Sequence, residues 1–442
     1  MYLHGTSRIN QQGHLEIGGC DTVRLAQEFG TPLYVIDEQF VRQQMRAFLN
    51  AAQQYDFPIQ VAYASKAFST LAMCRLVDEE GLLLDVVSEG ELYTALKADF
   101  PADRIYFHGN NKTAEECQLA IEANIRAFVV DNFAELKLLQ KLAEEEKKEV
   151  SILLRVAPGV EAHTHAYIQT GQQDSKFGFD LTSGQVLEAV KQSLHSSHLK
   201  LEGFHCHIGS QIFEVEAFQL TVDKMAQLIQ QCQDQCHFQT KVFNIGGGFG
   251  IRYEENDQPL AVEDYVKGIA TAVQKCFQGT EIPEIWIEPG RKIIGEAGTT
   301  LYTVGSLKEI PGVRNYLSVD GGMTDNLRPA LYDAKYEAMV ANRANEKADK
   351  TYTIAGHCCE SGDILIWDCA LPDVKIGDLI AVSCTGAYTY SMSSNYNRFR
   401  RPAVVFVRDG QADLVVERES LEDLIANDRI PTRLQKASSI PR

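Results

Sequence analysis

A chain of 442 residues, 45% hydrophobic and 23% charged, is long enough for two or three domains with a large core and has the composition of a soluble globular protein. Its formal net charge of -18 argues against nucleic acid or an anionic membrane as partner, since both need a basic face, but allows an anionic small molecule held by a few local arginines. No run is long and apolar enough to span a bilayer, MYLHGTSRINQQGHLEIGG holds no apolar signal core, and 11 scattered cysteines suit a reduced intracellular enzyme, so a cytoplasmic location is expected.

Residues 1 to about 36 read as short strands ending in PLYVID, and 38–54 as a helix. From Ile59 onward β and α signals alternate. Strands are predicted near 59–64, 83–87, 104–107, 126–130, 151–156, 201–207, 242–245 and 284–288, with helices between most of them, as at 89–98, 114–123 and 134–148. Eight such units over roughly 250 residues is the size of a (β/α)8 barrel, with a doubly wound sheet as the alternative. The positions of polar residues separate the two, because a barrel gathers its functional groups after the C-terminal ends of its strands. The first predicted strand is followed by Lys66, and the second by Asp85 and Ser88. The third is followed by His108, Gly109, Asn110 and Asn111, the fourth by Asp131, and the fifth ends in Arg155. The sixth gives His205, His207 and Ser210, the seventh Gly246, Gly247 and Gly248, and the eighth Glu288 and Arg291. This distribution favours a barrel with one mouth, expected over 37–290. Beyond it TLYTVGSLKEI, TYTIAGH and AVVFVRDG read as strands with turns between them, a second all-β domain of 291–442 joined by 1–36. No low-complexity linker separates the two, so they are expected to pack tightly.

Lys66 stands at a strand-to-helix junction in IQVAYASKAFSTLAM. A lone lysine is most often a solvated surface group, but lysine is also the side chain that bonds covalently to pyridoxal phosphate. GGGFG at 246–250 is either a plain tight turn or a loop whose backbone N–H groups close around an anion; its spacing is not that of a dinucleotide fingerprint. In EPGR, Glu288 either forms a surface salt bridge or faces a pyridine nitrogen and keeps it protonated. His207, in HCHIGSQ, is either a satisfied barrel-mouth histidine or a flat surface for a cofactor ring. Cys232, Cys236 and His237 lie in a polar helical stretch without a fourth ligand, and His163 and His165 in a loop after the fifth strand, so no metal is expected.

Together VAYASKAFSTLAM, HGNNK, DSKFGFD, HCHIGSQ, GGGFG, EPGR, VDGGMTDNLRPALYDAKYEA, CCESGD and GAYTYSMSSNYNRFRRP, in this order over nearly the whole chain, resemble the diaminopimelate decarboxylase family, whose members are fold-type III (alanine racemase-like) pyridoxal-phosphate enzymes. The resemblance implies a (β/α)8 barrel with a second all-β domain, pyridoxal 5'-phosphate as cofactor, and decarboxylation of meso-2,6-diaminopimelate to L-lysine and CO2, the last step of lysine biosynthesis. It makes Lys66 the lysine that carries the cofactor. His207 would stack on the ring, Ser210 and Gly246 to Gly248 would hold the phosphate, and Glu288 would face the ring nitrogen. Asp85, Gly290, Arg291 and Tyr388 complete the implied cofactor set. Arg291, Arg328 and Tyr332 would bind the distal carboxylate of the amino-acid substrate, Glu360 its distal ammonium, and Tyr388 both cofactor and substrate. Cys359 would donate the proton. GHCCE departs from relatives that carry proline after the glycine, and it sets Cys358 beside Cys359 as a second thiol. The resemblance also implies a homodimer with shared active sites. Two rival readings remain. A decarboxylase of ornithine, lysine or arginine would keep Lys66 and Glu288 without needing Arg328. A non-catalytic, partner-binding relative would have lost Lys66 or the thiol.

Overall fold

Ile59–Ala64 begins a cylinder of parallel strands continued by Leu83–Val86, Ile105–Phe107, Ala127–Val130, Val150–Ala157, Leu199–Cys206, Val242–Asn244 and Glu284–Ile287. The structure is a computed structural model and describes residues 1–160 and 175–435; His163 and His165 lie outside the described residues. Each strand pairs with the next in parallel, and the last closes on the first, Ile285 opposite Ile59 and Ile287 opposite Val61, so no edge is left open. The fold class expected from the sequence is the one the chain adopts. Strands covered on both faces read as continuous apolar runs. Here Ala62, Tyr106, Val129, Leu153 and Trp286 fill the inside of the cylinder, while their alternate neighbours pack outward on the helices.

The helices start where the sequence supplies caps. The side chains of Thr70, Ser88, Thr113 and Asn132 accept the N–H of Met73, Glu91, Glu116 and Glu135. Ser88 is therefore a cap for Glu89–Lys97 and not one of the polar groups of the mouth. Helix Glu38–Ala52 packs on the first strand and on helix Val262–Cys276, and so takes the place of an eighth barrel helix. The chain itself leaves the barrel after Ile287 through the short turn Arg291–Ile294.

That turn leads into Gly298–Ile310, the spine of a nine-stranded sheet. The spine pairs with Arg314–Val319, with Leu379–Ser383 and with Leu33–Asp37, the PLYVID run, which also lies parallel to Ala403–Arg408. The N-terminal region is not all strand. Thr22–Phe29 is a helix, started by the Asp21 carboxylate accepting the Val23 N–H and stopped by Gly30 at φ 70°. Cys232 and Cys236 lie in the last turns of helix Val215–Cys236, and His237 is its left-handed cap. Cys232 is buried in the barrel's outer core. Among the described residues the one His/Cys/Asp/Glu group with metal-ligand spacing is His108, His205 and Glu288.

A buried ion pair ties the third barrel strand to the fourth. Lys112 Nζ donates to Gly109 O and Val129 O, each at 2.8 Å, and to Glu135 Oε1 at 2.7 Å, while Glu135 Oε2 accepts the Asp131 N–H at 3.0 Å. Removing one member of such a pair strands the other charge in the interior, which costs on the order of 3–5 kcal/mol. Lys112→Met should lower the unfolding free energy measured by denaturant titration by that amount; a change below about 1 kcal/mol would show that Glu135 finds water or a proton without cost.

Candidate active site

Lys66 sits in the single 3-10 turn Ser65–Ala67 that follows the first barrel strand. The turn is fixed from three sides. Asp85, at the end of the second strand, accepts the Ser65 N–H at 3.2 Å and the Lys66 Nζ at 3.2 Å. Glu91 accepts the Ser65 hydroxyl at 2.8 Å. From the β-sheet side, Tyr388 N–H and the Ser391 hydroxyl donate to Ala67 O at 2.8 and 3.1 Å. Asp85 is fully buried, whereas the Lys66 side chain remains 39% exposed because it opens onto a cleft. Burial opposes the charge on Lys66, but the Asp85 carboxylate outweighs it and holds the amine above the ordinary lysine range.

The cleft is lined by Lys66, His207, Ser210, Gly247, Gly248, Glu288, Gly290, Arg291 and Tyr388, with Ala64 and Phe249. Nine residues singled out from the sequence thus meet in one place. Glu288 lies at the bottom. Its Oε1 accepts Tyr106 Oη at 3.0 Å, His108 Nε2 at 2.9 Å and Asn244 Nδ2 at 2.7 Å, while Oε2 has only His205 Nε2 at 3.4 Å. Burial pushes the carboxyl up, but His108 and His205 outweigh it and keep Glu288 ionised, well below the usual range. Burial also moves the imidazoles: it brings His108 down to about 4, and it lowers His205. Both therefore act as neutral N–H donors to an anion, which is why this trio reads as a carboxylate box and not as a metal centre.

His207 is neutral as well, held well below its ordinary value by burial and then by the Lys66 charge. Its Nδ1 accepts the Gly247 N–H at 3.2 Å, which fixes the ring against the glycine loop. That loop has no room for side chains. A Cβ on Gly247 would lie 2.1 Å from the Glu288 carbonyl oxygen, and one on Gly248, at φ 110°, would lie 2.4 Å from the Gly209 carbonyl oxygen. Gly246 stands behind the cleft wall, its N–H bonded to Asn244 Oδ1 at 2.9 Å.

The other wall carries Arg291, with Arg328 behind it. Arg291 donates to Ser210 Oγ at 2.8 Å and to Tyr253 Oη at 2.6 Å, and its guanidinium lies 4.8 Å from the Tyr388 ring centre. Arg328, on the short helix Arg328–Tyr332, donates to the same Tyr253 Oη at 2.8 Å and to Tyr336 Oη at 2.7 Å. Both arginines are buried, and no described carboxylate lies within salt-bridge distance of either. Two buried like charges bonded to one hydroxyl repel each other, so this pair favours an incoming anion.

Arg328 is not among the residues that line the cleft and is joined to it through Tyr253 and Arg291, and three further sequence candidates lie elsewhere. Tyr332, half-buried, ends the Arg328 helix and does not line the cleft. Cys359 and Glu360 are exposed on the loop between Lys350–Ala355 and Ile364–Leu371, outside their own chain's cleft. Asn397 Oδ1 accepts the Cys359 N–H at 2.7 Å. The Cys358 thiol is pushed up to about 12 by burial and by Asp363. Sequence reading missed Tyr106, Asn244, Tyr253 and Tyr336. Tyr106 sits in the apolar IYF run and Tyr253 in the polar IRYEEND loop, so neither announces its partner; only Asn244, polar at the end of an apolar strand, carried a signal.

The cleft suits pyridoxal phosphate: a lysine amine faces the opening, an ionised buried carboxylate keeps lone pairs toward it, and glycine backbone lines it. Fold and site together define a pyridoxal-dependent decarboxylase, and the family model described as "Pyridoxal-dependent decarboxylase, pyridoxal binding domain" matches residues 39–295. The chain is 59% identical to a diaminopimelate decarboxylase of Bacillus subtilis, over 97% of this chain and 98% of the relative. It superposes with a TM-score of 0.92 on the M. jannaschii diaminopimelate decarboxylase in complex with L-lysine, at 37% identity over 97% of this chain and 99% of that one. The Helicobacter pylori enzyme with L-lysine gives 0.85 at 32% identity, over 92% and 98%. The chain belongs to the diaminopimelate decarboxylase family.

Proposed function

We propose that this chain anchors pyridoxal 5'-phosphate on Lys66 and removes one carboxylate of meso-2,6-diaminopimelate, giving L-lysine and CO2, the last step of lysine biosynthesis. The observation that carries the substrate assignment is a pair of buried guanidiniums, Arg291 in the lining of the lysine–glutamate cleft and Arg328 joined to it through Tyr253, with no described carboxylate of their own. Bound pyridoxal phosphate supplies the electron sink for the pair left behind when CO2 departs. Glu288, kept ionised by its donors, holds a proton on the ring nitrogen. His207 presents its ring face, fixed by Gly247, and Ser210 with Gly247 and Gly248 receives the phosphate, Gly246 holding their loop from behind. Asp85 steadies Lys66, and Gly290 and Tyr388 close the cleft around the cofactor.

Specificity rests on the far end of the substrate. Arg291 and Arg328 take its carboxylate and Glu360 its ammonium, a combination that ornithine, with no carboxylate there, does not use. Cys359 returns the proton to the carbon that lost CO2; its exposure suits that role better than Cys358, which its own loop enfolds. CO2 release should be measured for diaminopimelate, ornithine, lysine and arginine with wild type and Arg328→Ala. Wild type should prefer diaminopimelate. The variant should lose about 2–4 kcal/mol, roughly 30- to 1000-fold, in kcat/KM on that substrate alone. Equal turnover of ornithine, or full efficiency of the variant, would remove the assignment.

We infer further that the enzyme is a cytoplasmic homodimer built of a barrel over 37–290 and an all-β domain over 1–36 and 291–442. Support for the dimer is the exposure of Cys359 and Glu360 away from their own chain's cleft, together with the need to keep water from a carbanion at an open barrel mouth. An isologous interface supplies the missing thiol from the second protomer. No helix among the described residues is long and apolar enough to cross a membrane.

A further inference from the structure

We propose that Tyr253 is the positioning residue of substrate recognition: its hydroxyl spaces Arg291 and Arg328 so that both guanidiniums meet one carboxylate. The proposal rests on the reading of these arginines given above and adds the residue that sets their geometry. Among the described residues Tyr253 Oη is the one oxygen that both reach, at 2.6 Å from Arg291 Nη1 and 2.8 Å from Arg328 Nη1. Each arginine also touches the Tyr253 ring face, with centroid distances of 5.7 and 4.9 Å. Tyr336 crosses Tyr253 edge-on at 5.3 Å and bonds Arg328 alone. Arg291 Nε is buried without a partner, so this guanidinium keeps donor capacity after its protein contacts are made. A phenol oxygen between two cations holds them close without neutralising either, which a carboxylate in its place would do.

The backbone beneath Tyr253 is pinned on every side. Asp257 Oδ2 accepts the N–H of Tyr253 at 2.9 Å and that of Glu254 at 3.2 Å. The preceding peptide is held from the other direction. Glu296 Oε1 accepts the Arg252 N–H at 3.3 Å, and the buried Cys384 Sγ lies 3.1 Å from Arg252 O. His4 lies between them, Nδ1 at 3.4 Å from Glu296 Oε1 and Nε2 at 3.3 Å from Cys384 Sγ. The N-terminal segment, the turn that leaves the barrel and the sheet thus converge on one peptide, and the side chain it carries forward is Tyr253. Rigid support of this kind is what keeps a recognition group in place.

The test uses holoenzyme with L-lysine and cadaverine. L-Lysine keeps the carboxylate that survives decarboxylation, whereas cadaverine is the same diamine without it. Tyr253→Phe preserves the ring and deletes only the shared oxygen. Its KM for diaminopimelate should rise about 10- to 100-fold with kcat within about threefold, and L-lysine affinity by titration calorimetry should fall by a similar factor. Cadaverine affinity and cofactor absorbance should not change. Unchanged L-lysine affinity, or equal weakening of lysine and cadaverine, overturns the positioning role. If Tyr253→Phe does not fold, Tyr336→Phe decides: it should weaken lysine selectively, and no effect on lysine counts against the proposal. Wild type binding cadaverine as tightly as L-lysine would instead overturn the reading of the arginines, and this proposal with it.

Discussion

Lys66→Ala should abolish CO2 release from diaminopimelate, with kcat down at least about 1000-fold, and should leave the protein without the absorption band of the bound cofactor. The size of the effect follows from the site. Among the described residues Lys66 is the one amine lining the cleft. Arg291, the other cation there, is bonded to Ser210 and Tyr253, and a guanidinium does not lose a proton to act as a nucleophile. The amine also has its own positioning carboxylate, since Asp85 bonds both Lys66 Nζ and the backbone of the turn that carries it. Removing Lys66 leaves Asp85 buried and unpaired, and burial already pushes that carboxyl up, so it should take up a proton and the fold should survive. Retained cofactor absorbance together with turnover would show that another residue carries the group.

The second large effect concerns assembly. Lys66→Ala and Cys359→Ala should each be nearly inactive alone, yet a mixture of the two should regain activity. Unfolded together and refolded in equal amounts, about half of the dimers should be hybrids, each with one intact site, and activity should approach about a quarter of wild type. The reason is that Lys66 opens into the cleft at the barrel mouth, while Cys359 is exposed on a loop of the sheet and does not line that cleft. Mass-verified mixing that restores nothing would mean that each site is built from a single chain.

Much of this was legible in the sequence because a barrel separates its two tasks in space. Strand interiors are apolar on both faces, so any residue with chemistry must stand where a strand stops. Lys66, Asp85, His207, Glu288 and the glycines of 246–248 do so, each interrupting an apolar run. The same rule misread Ser88, which also follows a strand but is used to cap a helix. Thr22–Phe29 is hidden for a different reason: it is a helix of only 8 residues that follows directly on the short strands Leu15–Ile17 and Cys20–Asp21. Tyr106 is hidden because its ring packs in the barrel core against Trp286 while its hydroxyl reaches Glu288. Tyr253 depends on closure of the chain over long distances, since Arg291 lies 38 positions away and Arg328 lies 75. No local pattern encodes such a meeting.

The attachment of the cofactor to Lys66 is tested most directly by chemistry on the intact holoenzyme. Borohydride reduction locks the cofactor onto whichever amine carries it, and proteolysis with mass spectrometry then reads the position. The pyridoxyl group is expected on the peptide VAYASKAFSTLAM, at Lys66. Label on another lysine, such as the buried Lys112 or Lys292, with Lys66 unmodified would contradict the account.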